Sequence, residues 1–271
     1  MTPVDLAVVI PTFNSGRTLQ RCLNSVLSQE PPPAEVVVVD DLETFDNTRL
    51  IADAAGACLI ISPAKMAESR NLGVNHTASK LLLSLDSDMC LPAGLIKALV
   101  EALLSSNMAA ATIAEVSVGT TYWARCRAID KISVELTGHG RSLRAFTRDL
   151  FNRVGGYDVK LEAGEDADFH RRAIAIGARV IHVASPQILH DEGHLRLTSV
   201  ARKKYGYGRS LGAFEAKGNS GLGGGYMRRI LAGAVASVTR DPMALPGFLV
   251  LKATDAAAGA VGRWADGLRI K

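Results

Sequence analysis

Cysteine is scarce in this 271-residue chain, and the four present (Cys22, Cys58, Cys90 and Cys126) form no C-x-x-C pair. That excludes a disulfide scaffold or a zinc ribbon and fits a reducing compartment. Aromatic residues are only 5% of the chain, charged residues 21% and hydrophobic residues 48%. This is a soluble-type globular average, which excludes a disordered chain, a collagen-like repeat and a polytopic membrane bundle. Met1–Leu6 lacks a basic stretch ahead of its apolar run, so no secretory leader is expected. There is no G-x-G-x-x-G after the first apolar run; Pro11–Gly16 reads PTFNSG. His190-Asp-Glu-Gly-His194 lacks the glutamate directly after its first histidine that a zinc-protease helix needs, and Gly193 breaks the helix.

What is present is unevenly charged. Residues 1–120 hold 7 Lys/Arg against 13 Asp/Glu, whereas residues 121–271 hold 24 against 14. An acidic front suits a cation, and a basic back suits phosphates or an anionic membrane. The alternative is solvated surface charge with no partner.

Short apolar runs alternate with helical spacing. Strands are predicted at Leu6–Ile10, Glu35–Val39, Ala57–Ile61, Lys80–Leu85 and Arg179–Val183. Helices are predicted at Arg17–Gln29, Thr48–Ala55, Ser69–Ala78, Pro92–Leu104 and Glu165–Ile176, while Ala111–Asp168 is largely irregular. Continuous apolar strands between helices imply an α/β fold with a mostly parallel, Rossmann-like sheet covered on both faces. Ligands in such sheets bind at the carboxyl ends of strands. The residues to watch are therefore Pro11–Asn14, Asp40–Asp41 and Asp86–Asp88.

Asp86-Ser87-Asp88 directly follows a buried strand. If the chain stays extended there, both carboxylates face one site, where Mg²⁺ or Mn²⁺ plus a diphosphate would relieve their repulsion. The plainer reading is an acidic turn that caps the helix opened by Pro92. Glu165, Asp166 and Asp168 open a helix, which also satisfies the helix dipole without any catalytic role.

In order along residues 4–210, the chain carries VVIPTFN (8–14), VVVVDD (36–41), ESRNLGV (68–74), LLLSLDSDM (81–89), GGYD (155–158) and GEDADFHRR (164–172). In this it resembles a family 2 glycosyltransferase of the GT-A fold, similar to prokaryotic membrane-associated, mannosyltransferase-like members. The resemblance implies an inverting enzyme that uses a nucleotide sugar (UDP- or GDP-linked) and Mn²⁺ or Mg²⁺. It places Pro11, Thr12 and Asn14 at the nucleotide, Asp41 or Asp40 on the base, Arg70 against the nucleotide or its diphosphate, and Asp86 by the ribose. Asp88 would be the metal ligand, with His190 as a further ligand. Asp166 would be the general base, with Glu165 beside it toward the substrate. One stretch departs from the family: Leu42–Thr48 reads LETFDNT, without glycine and one residue longer, with Asp46 keeping a turn or cap role.

The basic, aromatic stretch Arg202–Arg209 offers Arg202, Lys203 and Tyr207 to a diphosphate or acceptor phosphate. Nucleic acid is not an expected partner, given the acidic front and the absence of a nucleic-acid motif. Residues 1–217 are expected to form the catalytic domain, its nucleotide half ending near 110. Residues 218–271 would be a glycine-rich linker (218–225) and apolar helices that meet a membrane on its cytoplasmic side. Met243–Gly262 is long enough to span a bilayer, but Lys252 and Asp255 fall in its middle, so an interfacial or re-entrant helix pair suits it better, with a single span as the alternative. The function expected is transfer of a hexose, such as mannose, to a hydroxyl or phosphate acceptor that is lipid-linked. The alternatives are a non-catalytic nucleotide-sugar-binding subunit of a membrane assembly, or a sugar nucleotidyltransferase.

Overall fold

The computed structural model describes residues 2–161, 163–215 and 224–267. An eight-stranded mixed sheet with the order β3-β2-β1-β4-β7-β6-β8-β5 runs through it. Its first part is parallel: β1 (Val4–Thr12), β2 (Pro33–Asp41), β3 (Cys58–Ser62) and β4 (Leu81–Ser84). The β-branched and leucine runs of β1, β2 and β4 are largely buried because helices cover both faces, whereas the edge strand β3 is only half-buried. β5 (Met89–Cys90), β6 (Ala110–Gly119), β7 (Leu143–Thr147) and β8 (Val180–Gly193) complete the sheet. β7 runs antiparallel to β4 and to β6, and β5 antiparallel to β8.

The chain divides into two compact units. The first comprises residues 1–114, 142–159 and 165–190. One face of its sheet carries Val8, Ile10, Leu83 and Leu85, packed against α1 (Leu19–Leu27) and α4 (Leu95–Ser105). The other carries Ala7, Val9, Leu82 and Phe146, with Tyr157 and Phe169 stacked at 4.7 Å between centroids. α2 (Thr48–Ala54), α3 (Met66–Asn75), α6 (Arg148–Val154) and α7 (Glu165–Ala175) complete it. Gly73 is what lets α3 sit directly on β1: a Cβ there would lie 2.3 Å from a Val9 methyl.

The second unit comprises residues 115–141, 160–164 and 191–271. It contains α5 (Tyr122–Thr137), α8 (Leu197–Glu215), α9 (Gly224–Arg240), a 3₁₀ turn (Pro242–Ala244) and α10 (Leu245–Gly267). Cys126, Ile129, Val200, Phe248 and Leu251 form its apolar core. α8 and α10 touch backbone to backbone: a Cβ on Gly208 would meet the Gly259 carbonyl at 2.1 Å, and one on Gly262 the Tyr205 carbonyl at 2.1 Å.

The alternating strands and helices of the first half are where the sequence places them. β6, α5 and β7 fall in the segment read as irregular, and they are what makes the sheet mixed. The contact division does not fall at the expected 217/218 boundary. Of the expected linker, 218–223 lies outside the described residues, while Gly224 and Gly225 open α9. Among the described residues, one helix, Pro242–Asp266, is long and apolar enough to cross a membrane.

Candidate active site

The carboxyl ends of β1, β2 and β4 gather the polar residues. Asp40, at the end of β2, is fully buried; its Oδ1 accepts from Thr12 Oγ1 (2.8 Å) and Thr44 Oγ1 (2.9 Å), and its Oδ2 from Arg49 Nε (2.9 Å). Asp40 is therefore committed to joining the loops, and Asp41 is the partly exposed carboxylate of the pair. Asp41 Oδ1 receives the Glu43 amide at 2.8 Å.

The glycine-free stretch 42–48 is held without glycine by reciprocal bonds to the loop after β1. Asn14 Oδ1 accepts from the Phe45 amide (3.0 Å), Asp46 Oδ2 from the Gly16 amide (2.8 Å), and Thr48 Oγ1 from the Ser15 amide (2.7 Å). Asn14 itself takes the left-handed conformation, φ 49°. Asp46 Oδ1 also receives the Thr48 amide at 2.9 Å, the turn role expected of it at the start of α2.

Asp86-Ser87-Asp88 is not extended. The chain turns there, with the Met89 amide bonded to the Asp86 carbonyl at 3.0 Å. Asp86 is gripped by two arginines: Oδ1 accepts from Arg70 Nη2 (2.7 Å) and Oδ2 from Arg144 Nη1 (3.0 Å). Burial opposes its charge, but the guanidiniums of Arg144 and Arg70 outweigh that and hold its carboxyl well below the usual carboxylate range.

Arg70 is buried, bonded to Asp86 and Ser84 Oγ, with Nε 3.6 Å from Glu165 Oε1 and its guanidinium 5.7 Å from the centre of the Tyr157 ring. Its guanidinium thus faces two carboxylates of the site. Ser87 Oγ lies 2.8 Å from Ser15 Oγ, which joins this turn to the β1 loop.

Asp88 takes a different partner. The antiparallel register of β5 and β8 sets Met89 opposite His190, and His190 Nε2 lies 3.3 Å from Asp88 Oδ2. Asp88 Oδ1 is buried and has no hydrogen-bond partner among the described residues. An orphaned carboxylate oxygen beside an imidazole fits a divalent cation completed by diphosphate oxygens. Among the described residues, no group of three or more His, Cys, Asp or Glu side chains could hold a metal by itself.

The acids that open α7 separate by partner. Asp168 is fully buried and bonded to Arg171 (3.2 Å) and Arg172 (2.6 Å), which makes it structural. Glu165 is buried beside Arg70, and burial, then the neighbouring Asp166 charge, raise its pKa. Asp166 is half-buried: Oδ2 accepts from Ser142 Oγ (2.7 Å) and Oδ1 from the Ala167 amide (2.7 Å). A carboxylate held by a hydroxyl and a helix amide, yet open to solvent, can take a proton from an alcohol.

The sequence matches the profile described as Glycosyl transferase family 2 over residues 7–163, more than half of the chain. The chain belongs to glycosyl transferase family 2. The chain spans only 60% of the length of two of the curated relatives it matches. It is 28% identical to the succinoglycan biosynthesis protein ExoU of Rhizobium meliloti, over 66% of this chain and 60% of that protein. Among solved structures it is similar to the mannosyltransferase PcManGT of Pyrobaculum calidifontis in complex with GDP-Man and Mn²⁺ (TM-score 0.59, 21% identity, 98% of this chain and 79% of that one). It is also similar to S. aureus TarS 1-349 in complex with UDP-GlcNAc (TM-score 0.58, 18% identity, 93% and 81%). These structural likenesses bear out the GT-A fold.

In this family 2 enzyme the sequence motifs do not reveal Arg144 and Ser142. Arg144 lies in β7 and Ser142 directly precedes it, in the segment read as irregular. The available signal was their spacing: two apart in extended chain, they share a face. Arg202, Lys203 and Tyr207 lie exposed on α8 in the second unit, where the Lys203 ammonium is 5.8 Å from the Tyr207 ring centre.

Proposed function

We propose that the enzyme transfers a hexose, such as mannose, from a UDP- or GDP-sugar to a hydroxyl or phosphate acceptor, with inversion at the anomeric carbon. The observation that carries this is Asp166, the acid of its helix turn left partly open while Asp168 and Glu165 are tied to arginines. Asp166 takes the proton of the acceptor oxygen as that oxygen attacks the face opposite the leaving diphosphate. One displacement through an oxocarbenium-like state needs no covalent sugar on the protein. Pro11, Thr12, Asn14 and Asp41 line the nucleotide, with Asp41 accepting from the base and Asp40 bracing the loops behind it.

Asp88 and His190 would hold Mn²⁺ or Mg²⁺. When bound, such a cation neutralises charge growing on the leaving diphosphate. Asp86, gripped by Arg70 and Arg144, presents a fixed anionic edge toward the ribose. The PcManGT complex, with its GDP-Man and Mn²⁺, supports this donor and cofactor class. The charge of the second unit and its apolar helices support a lipid-linked acceptor at the cytoplasmic face of a membrane, with residues 1–217 as the catalytic domain. Arg202, Lys203 and Tyr207 would meet the diphosphate or the acceptor phosphate.

The test is a melting-temperature panel of nucleoside diphosphates and nucleotide sugars with and without Mn²⁺, followed by transfer assays with the donor that stabilises most. Asp166→Asn should keep donor binding and lose transfer. Unchanged transfer in Asp166→Asn overturns the assignment of the base.

A further inference from the structure

The membrane part of that reading leaves open whether the C-terminal helices cross a bilayer or lie on it. The second unit answers through which side chains it turns inward. Lys252, in the middle of α10, is buried and places its ammonium 2.8 Å from Asp130 on α5 and 3.1 Å from Asp255 one turn along. Arg127 on α5 reaches Asp255 at 3.7 Å, and Arg229 on α9 reaches Asp130 at 2.9 Å. The two charges that interrupt the apolar helix are therefore locked into a five-membered ionic cluster with α5 and α9. A lone crossing by α10 would require it to leave that cluster and carry Lys252 and Asp255 into hydrocarbon, where unpaired charges are strongly disfavoured.

The outward faces are the reverse. On α9, Met227, Leu231, Val235 and Val238 recur at helical spacing and are 57%, 63%, 64% and 60% exposed. On α10 the exposed side chains include Leu249, Val250, Ala253, Val261 and Trp264, and Met243 stands exposed in the turn between the helices. Among the described residues from 226 to 267, the exposed charged side chains are Arg228, Arg240 and Arg263, with no exposed carboxylate. Asp241 is bonded to Arg125 and Asp255 to the buried cluster. Apolar stripes whose fully exposed charges are arginines, with an aromatic near one end and half-exposed Asp266 beside it, match the boundary between acyl chains and anionic headgroups.

We infer that α9 and α10 form a monotopic docking face that lies in the surface of an anionic leaflet without crossing it. The inference rests on the membrane part of the proposed function and fixes its mode. The Lys252–Asp130–Asp255 cluster sets the roll of α10, so that the charged side stays in protein while the leucine, valine and tryptophan side enters lipid.

The test uses the full-length protein with phosphatidylcholine vesicles, with and without phosphatidylglycerol. Binding should require phosphatidylglycerol, and an alkaline carbonate wash should release the protein. Leu231→Asp/Val235→Asp and Trp264→Glu should each weaken binding by roughly tenfold or more. Leu50→Asp, at an exposed position on α2 of the first unit, should not. Binding that resists the wash means a span and overturns the inference, as does binding that the α9 and α10 variants leave intact. A lipid-free dimer broken by the same variants also overturns it, because the face would then be taken by a second copy. Donor turnover without vesicles is measured on the same preparations. If it persists while docking fails, only the docking face falls; if it is absent while docking holds, the reaction assignment falls.

Discussion

Two carboxylates in this molecule are gripped by cations in nearly the same way, yet their surroundings give them different work. Asp86, in the first unit, sits between Arg70 and Arg144. Asp130, in the second, sits among Lys252, Arg229 and Arg127. For both, burial raises the pKa, and the facing cations outweigh it and hold the acid ionised. The side chain of Asp86 is 26% exposed, that of Asp130 only 9%. Asp86 also has chemistry around it: a turn leads to Asp88 and His190, and Arg70 leads to Glu165 and so to Asp166. Asp130 has only partners. The same ionic grip therefore supports a site where it opens to solvent beside further acids, and fixes helix packing where it is sealed.

The largest contrast should come from one change in each region. Asp166→Asn should cut kcat by about 10²–10⁴-fold, the usual worth of a positioned base, with an unchanged urea unfolding curve. Asp130→Asn should do the opposite, costing about 3–5 kcal/mol of stability because half-buried Arg229 loses its acid and buried Lys252 keeps only Asp255. Its lowered pKa adds a pH signature. The stability Asp130 contributes is present above the ordinary carboxylate range and lost as pH falls through its lowered folded value. Urea titrations should therefore show the wild-type advantage over Asp130→Asn shrinking in acid.

Arg144→Leu sharpens the comparison from the other side. Removing one of the two charged donors on Asp86 should cost about 1.5–3 kcal/mol in stability and raise the donor KM. A purely structural arginine would leave that KM unchanged. The smallest effect belongs to Ser142→Ala, which removes the hydroxyl on Asp166 Oδ2. About 1 kcal/mol of positioning should disappear from kcat with the donor KM intact, and Ser142→Thr should restore it.

Most of the first unit is legible in the sequence because each strand is an uninterrupted apolar run ending in a polar residue. VVVVDD announces both β2 and the acids beyond it. The C-terminal half hides its order for a physical reason. α5 buries Asp130 and packs Arg127 inward, so its hydrophobic period is broken by residues that are polar yet internal. β7 brings Ser142 and Arg144 to the site by an antiparallel pairing with β4 that no local pattern encodes. The D-x-D reading assumed an extended chain, and that geometry does not hold, since the segment turns. Its distant partners, Arg144 and His190, come from strands more than fifty residues away.

The most direct measurement of the central claim is the anomeric configuration of the product, read by NMR from the sugar's one-bond and vicinal couplings as it forms. Single displacement with Asp166 as base predicts a linkage opposite in configuration to that of the nucleotide donor. A product that keeps the donor's configuration would require a covalent or same-face route and would contradict it.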